Sequence, residues 1–175
     1  AAALDRARTD FAKRIEAVRI AQFLFHTQWR ALADYCHARE IQIMGDIPIF
    51  VAHDSADVWA APELFFLDDS GECSVIAGVP PDYFSETGKR WGNPLYRWDR
   101  LAADDFAWWV RRVERCLQLV DLVRIDHFRG FEAYWEIPAN EETAINGRWV
   151  PAPGEALLEA FAKRFDPMPI VAEDL

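Results

Sequence analysis

Two acids, each closing a short apolar run, carry the chemistry this sequence could do. Val123-Arg124-Ile125-Asp126-His127-Phe128-Arg129-Gly130 reads as the end of a buried strand over about 120–126 that delivers the Asp126 carboxylate and then breaks off. Strand side chains alternate faces, so Val120, Leu122, Arg124 and Asp126 point one way while Asp121, Val123 and Ile125 point the other. Arg124 is thereby the neighbour of Asp126, and a guanidinium there lowers the pKa of the acid and keeps it ionised. On these residues alone, a structural Asp–Arg ion pair at a strand end is at least as good a reading.

The second acid changes the weighing. Pro169-Ile170-Val171-Ala172-Glu173-Asp174-Leu175 is another apolar run, a strand over about 169–174, and a helical pattern separates it from the first. In a parallel barrel, consecutive strands place their C-terminal ends side by side. Asp126 and Glu173 would then face each other. A third run, Ile41-Gln42-Ile43-Met44-Gly45-Asp46-Ile47-Pro48, predicts a strand over about 41–46 that also ends in an acid, Asp46, although an Asp before Ile47-Pro48 could equally cap a turn. The apolar pairs Ile41/Ile43, Val123/Ile125 and Ile170/Ala172 would face surrounding helices, with Asp46, Asp126 and Glu173 closing the opposite face where parallel barrels carry their catalytic groups. An open doubly wound sheet would give similar strands but usually announces itself with a Gly-rich phosphate loop, and none is present. The fold class is α/β, part of a (β/α)8 barrel.

The elements that must position these acids follow from periodicity. From residue 11 to about 39, apolar residues recur every three or four positions without Gly or Pro, which predicts a long helix that takes His26 and His37 as structural residues. A helix over about 104–119 has Asp104 or Asp105 as its cap and Phe106, Trp109, Val110, Val113, Cys116 and Leu117 as its inner stripe. Another runs from Pro153-Gly154 to about Phe165, with Leu157, Leu158 and Phe161 inward, and Asp166-Pro167 stops it. Between the first two strands, residues 50–103 are too many for a simple loop and predict an elaborated loop subdomain. Within it His53 belongs to a helix start capped by Asp54 or Ser55, and Leu64 to Ile76 reads as a β-hairpin around Asp68-Asp69-Ser70-Gly71. Residues 131–138 read as loop or short helix, and Asn146-Gly147 as a tight turn returning through Arg148-Trp149-Val150.

Composition narrows the partners. At 175 residues, 51% hydrophobic and 27% charged, the chain is long enough for one globular core. Its 19 Lys and Arg against 29 Asp and Glu leave a net charge of −10, which argues against nucleic acid or an anionic membrane as the main partner. No apolar run approaches membrane-spanning length and no secretory leader opens the chain. Cys36, Cys73 and Cys116 are odd in number and widely spaced, as expected of thiols in a reducing cytoplasm, and no ligand spacing suggests a metal. Of eight Trp, Trp108 and Trp109 fall in a helical pattern, while Trp59, Trp91, Trp98 and Trp149 fall in or beside loops, where an indole can stack on the apolar face of a sugar or cover a core edge.

Several blocks in order resemble one family. Gly45-Asp46-Ile47-Pro48-Ile49-Phe50-Val51, His53-Asp54-Ser55-Ala56-Asp57-Val58-Trp59, Gly78-Val79-Pro80-Pro81-Asp82-Tyr83-Phe84-Ser85, Arg90-Trp91-Gly92-Asn93-Pro94-Leu95-Tyr96, Arg124-Ile125-Asp126-His127-Phe128-Arg129-Gly130 and Ala172-Glu173-Asp174-Leu175 look like successive signatures of the 4-alpha-glucanotransferases, the amylomaltase or disproportionating-enzyme relatives of the α-amylases. The resemblance implies a retaining transfer of an α-1,4-glucan segment to the 4-hydroxyl of an acceptor, with α-1,4-glucans and malto-oligosaccharides as partners and neither metal nor organic cofactor. It also implies Asp126 as nucleophile, Glu173 as general acid/base, Arg124 beside the nucleophile, and Asp46, Trp91 and Asn93 in substrate-binding blocks. His127 either orients substrate or bonds the loop after its strand. The surroundings of Glu173, with apolar Val171 before it on its face, suggest a raised pKa suited to an acid.

Lys89 stands where the family commonly has Gln. The family's third carboxylate and its partner His are expected beyond these residues, so the chain is expected to be a central fragment without activity of its own, since a complete barrel takes around 250 residues. A hydrolytic α-amylase relative or a non-catalytic glucan-binding module are the competing functions.

Overall fold

The computed structural model describes residues 2–173. Two helices open the chain, α1 (Ala2–Asp10) and α2 (Ala12–His37). They are followed by β1 (Met44–Pro48), α3 (Ala56–Ala60), β2 (Val75–Val79), β3 (Lys89–Pro94), α4 (Trp98–Ala102) and α5 (Ala107–Leu117). Then come β4 (Leu122–Asp126), β5 (Ala133–Pro138), β6 (Arg148–Pro151), α6 (Gly154–Arg164) and β7 (Ile170–Ala172).

Strands β1, β4 and β7 form one parallel sheet in that order, with Arg124 opposite Asp46 on one side and Val171 on the other. The alternation of β4 holds: Val123 and Ile125 are fully buried, while Arg124 and Asp126 face the other way and stay half-buried. Each step from one strand to the next passes through a helix, α5 and then α6, whose inner residues Trp109, Val113, Leu157 and Phe161 bury against Val123 and Ile125. Their aromatic and aliphatic bulk clamps the strand from behind. Truncating the fully buried Trp109 to Ala would cost about 3–5 kcal/mol.

The first strand begins later than the apolar pattern suggests. The backbone is still leaving α2 at Ile41, whose amide donates to the Cys36 carbonyl at 3.1 Å, with Glu40 at φ 58°. Ile41 is therefore exposed, and the residue that β1 buries is Ile47. As a result Asp46 lies inside β1, level with Arg124, and does not close the strand. At the third strand Glu173 follows directly after β7, with its amide 3.4 Å from the Ile125 carbonyl, and Asp174 lies outside the described residues. The helix expected to start at an Asp104 or Asp105 cap is α5, but its cap position is held by Phe106 at φ 56° with no side-chain cap bond, and Asp104 Oδ1 accepts from the Ala107 amide at 3.3 Å just ahead of it.

A second sheet, antiparallel in the order β3-β2-β5-β6, is built from the loops after both β1 and β4. The subdomain thus draws on two loops, whereas the sequence pattern placed it in the first alone. Residues 133–138 are a strand, because β2 supplies the ladder, with Ile76 opposite Ile137 and Gly78 opposite Trp135. Gly78 is needed there: a Cβ would lie 2.3 Å from the Lys89 carbonyl oxygen. The expected hairpin over 64–76 shrinks to a single bridge between Leu67 and Cys73 around an Asp68 turn, and Phe65 pairs instead with Tyr96. Asn146-Gly147 does return the chain into β6, where Trp149 lies opposite Trp135.

Helix α2 keeps its predicted length but buries none of its residues, and Phe23, Leu24, Phe25 and Leu32 are exposed. It is attached to the sheet by Trp29 Nε1, which donates to the Leu119 carbonyl at 2.6 Å, and by His37, 2.9 Å from Asp121 Oδ2. That same oxygen accepts from the Ile43 amide, so His37 and Asp121 together fix the start of β1.

Candidate active site

Period-two alternation on β4 puts one guanidinium among three acids. Arg124 Nη1 donates to Asp46 Oδ2 at 2.7 Å, and Nη2 donates to both Asp126 Oδ1 at 3.3 Å and Glu173 Oε1. Desolvation opposes the arginine's charge, but the charges of Asp46, Glu173 and Asp126 outweigh it and raise its pKa further. The fork geometry of Arg is what allows this; an ammonium could not present two nitrogens to three carboxylates in one plane. Because Asp126 and Glu173 share one donor nitrogen, their nearest oxygens are at most two hydrogen-bond lengths apart, roughly 6 Å.

Glu173 does not sit in the apolar surround that its sequence neighbours suggest. One oxygen meets Arg124 and the other accepts from the His127 backbone amide at 2.6 Å. That amide points at Glu173 because His127 adopts a left-handed backbone, φ 56°, where β4 ends. The His127 ring turns inward, only 7% exposed, and packs edge-on against Trp91 with centroids 4.9 Å apart. Burial pushes its pKa down and Arg129 pushes the same way, while Glu173 and Asp126 oppose them.

Two cavities meet at Trp91, Asp126 and His127. One, of about 400 Å³, continues past Glu173 to Lys89, Arg129 and Trp149. The other, of about 360 Å³, continues past Phe50 and Asn93 toward Ala52. The Asp126 carboxylate therefore stands between two compartments, as a group must if it acts on a bond with a residue on either side. Trp91, exposed to 40%, offers a ring supported by Phe50 at 6.4 Å. Asn93 lines the second cavity, but its Nδ2 is engaged by the Val51 carbonyl at 3.0 Å, which ties β3 to the turn after β1.

All seven residues singled out from sequence thus lie around one place: Asp46, Arg124, Asp126, His127 and Glu173 as a cluster joined through Arg124 and the His127 amide, and Trp91 and Asn93 along its walls. Sequence reasoning passed over Arg129, treated there only as part of the strand break. Its guanidinium lies 4.4 Å from the ring of Trp149, and both border the cavity beside Glu173. Its position directly after Asp126-His127-Phe128 was the available signal. Trp98, one of the indoles in or beside loops, takes the second of its two expected roles and covers the core, buried on α4 against Tyr96 and Phe131. Among the described residues no group of three His, Cys, Asp or Glu is arranged to hold a metal ion, and the Arg124 guanidinium occupies the space between the acids. A larger groove of about 900 Å³ beside α6 includes neither Asp126 nor Glu173.

The profile of glycoside hydrolase family 77, the 4-alpha-glucanotransferases, matches residues 1–175. The chain belongs to that family. A 4-alpha-glucanotransferase of Thermus thermophilus is 57% identical over 173 residues, which cover 99% of this chain and 35% of that protein. The chloroplastic/amyloplastic 4-alpha-glucanotransferase of Solanum tuberosum is 49% identical over 154 residues, 88% of this chain and 27% of that protein. Among solved structures, amylomaltase from Streptococcus agalactiae in complex with acarbose superposes with a TM-score of 0.96 at 43% identity, over 99% of this chain and 35% of that one. This family 77 chain therefore spans between 27% and 35% of these relatives' lengths, and its three parallel strands are part of a (β/α)8 barrel.

Proposed function

We propose that this chain supplies the nucleophile and the proton-transferring acid of a retaining 4-alpha-glucanotransferase acting on α-1,4-glucans and malto-oligosaccharides. The observation that carries the reading is the nitrogen shared by Asp126 and Glu173. Retaining enzymes hold their two carboxyl groups about 5–5.5 Å apart, whereas inverting ones leave about 6.5–9.5 Å for a water. Two acids bridged by one nitrogen fall on the retaining side.

The steps follow from that spacing. Asp126 attacks the anomeric carbon while Glu173 gives its proton to the glycosidic oxygen, so the bond to the leaving glucan breaks as an ester to Asp126 forms. The acceptor's 4-hydroxyl then attacks the same carbon, returns its proton to Glu173 and frees Asp126. Arg124 donates to Asp126 and holds its carboxylate in place for the attack, and Asp46 fixes the other arm of the guanidinium. The His127 amide orients Glu173. Trp91, and Trp149 with Arg129 against it, flank the sugars on the two sides of the reacting bond, with Asn93 shaping the wall through Val51.

Among the described residues β1 and β7 each have a single strand neighbour, so the sheet is not closed, and the 175 residues alone are expected to turn over nothing. The free cysteines Cys36, Cys73 and Cys116 support a reducing, cytoplasmic setting. Among the described residues no helix is long and apolar enough to cross a membrane. Product analysis decides between transfer and hydrolysis. The complete polypeptide carrying this chain should convert maltotriose into glucose together with longer oligosaccharides, and shortened products alone would mean that water is the acceptor.

A further inference from the structure

Trp59 is exposed to 74%, the most accessible indole along the catalytic-side loops, and the reaction as drawn makes no use of it. It stands on α3, which the fold fixes in two ways: Ser55 caps its start by accepting from the Val58 amide at 3.3 Å, and Val58, at its middle, is buried in the main core. Beside the indole is a cavity of about 690 Å³ whose wall alternates apolar surface, Pro62 and Leu67, with the polar groups of Asp54 and Ser55. Its far side is the turn around Gly71, held in place because its carbonyl accepts from His53 Nε2 at 2.8 Å. The site is therefore formed before anything binds.

Its position is as informative as its lining. Ala52 lines the cavity at Asp126, and the next residue in the chain, His53, lines the outer cavity. The two are successive stations along one stretch of chain, with Asn93 bonded to Val51 anchoring that stretch from beneath. A rigid aromatic plane flanked by a carboxylate suits a pyranose, whose C–H face packs on the indole while its paired hydroxyls donate to the acid.

We infer that Trp59 and Asp54 form an outer subsite for a remote part of a long α-1,4-glucan whose reacting end lies at Asp126. This rests on the proposed function and extends it to chain-length selection. A short substrate held at Asp126 alone would not reach Trp59, so the contact adds binding energy only for long chains.

The test uses the complete polypeptide with Trp59→Ala, Trp59→Phe and Asp54→Asn, assayed on maltotriose and on amylose, alongside retardation in native gels containing glycogen. The expected result for Trp59→Ala is a KM for amylose raised roughly two- to tenfold, the range for one lost aromatic contact, with kcat and the maltotriose KM unchanged. Trp59→Phe should restore most of the affinity, Asp54→Asn should show a smaller shift in the same direction, and gel retardation should weaken in step. An unchanged amylose KM and mobility for Trp59→Ala would overturn the outer subsite, as would equal losses on both substrates, which indicate a structural role. If the parent polypeptide transfers no glucan, the reading of Asp126 and Glu173 fails, and glycogen retardation still decides for or against Trp59.

Discussion

The backbone amide of His127 donates to Oε2 of Glu173 at 2.6 Å, so the acid that follows β7 is aimed by the residue that follows the acid of β4. The bond exists because His127 takes a left-handed conformation at the strand end, which turns its amide across the sheet. Whatever disturbs that turn moves the two acids relative to each other.

Replacing Glu173 by Gln keeps the shape and one of the two bonds it accepts from Arg124 and His127, because an amide nitrogen cannot accept, while removing the transferable proton. Its turnover should fall by about 10²–10⁴, and Asp126→Asn should fall at least as far, with the fold unchanged by circular dichroism. Full glucan-transfer rates in either variant would leave only a binding role for the pair.

Arg124→Lys keeps one charge and loses the fork. A single ammonium cannot hold Asp46, Asp126 and Glu173 at once, so kcat should drop by on the order of tenfold or more. Asp46→Asn leaves both bonds from Nη2 in place and should be the milder of the two. Steady-state rates on maltotriose would rank them, and the reverse order would mean that the guanidinium's second arm matters more than its shared nitrogen.

His127 gives a pH signature. Its pKa is held below the ordinary 6.5 by burial and by Arg129. The unfolded chain thus binds a proton more readily than the folded one, and the stability His127 contributes is complete above about pH 6.5 and declines as pH falls through the lowered value. Urea midpoints measured from pH 7.5 to 5 should decline, and His127→Gln should flatten the part of the slope just below 6.5. An unaltered slope would place the titration elsewhere.

Gly88 sits at φ 68° in the loop bordering the cavity beside Glu173, and a Cβ there would lie 2.4 Å from the Val79 carbonyl oxygen and 2.8 Å from Ala144 Cβ. Gly88→Ala must displace backbone, so it should cost about 1–3 kcal/mol in urea unfolding. Because Tyr83 and Phe84, exposed to 97% and 91%, ride on the same loop, the variant should also raise KM. A stable variant with unaltered KM would show that the loop accommodates the methyl without moving the cavity wall.

The parts legible in the sequence are those decided locally. Alternation along Val123-Arg124-Ile125-Asp126 needs only the two-residue period of a strand, and α5 and α6 announce themselves by stripe, cap and stop signals within their own length. The strand β5 was not legible, since Ala133 to Pro138 lacks a clear period and becomes extended only because β2, far earlier in the chain, offers it a ladder. Trp98 was left open between stacking on a sugar and covering a core edge for a similar reason: its loop-like neighbours say nothing of the Tyr96 and Phe131 rings that enclose it.

By itself, the sequence determined which residues could do chemistry and on which face of which strand they stand, because side-chain direction follows from backbone periodicity alone. Only the tertiary structure decided that Asp46 lies a step below the other two acids, that one nitrogen of Arg124 joins Asp126 to Glu173, and that the loops after β1 and β4 share one sheet. Register, distance and the surroundings of a carboxylate depend on segments far apart in the chain, and no local pattern encodes where those segments meet.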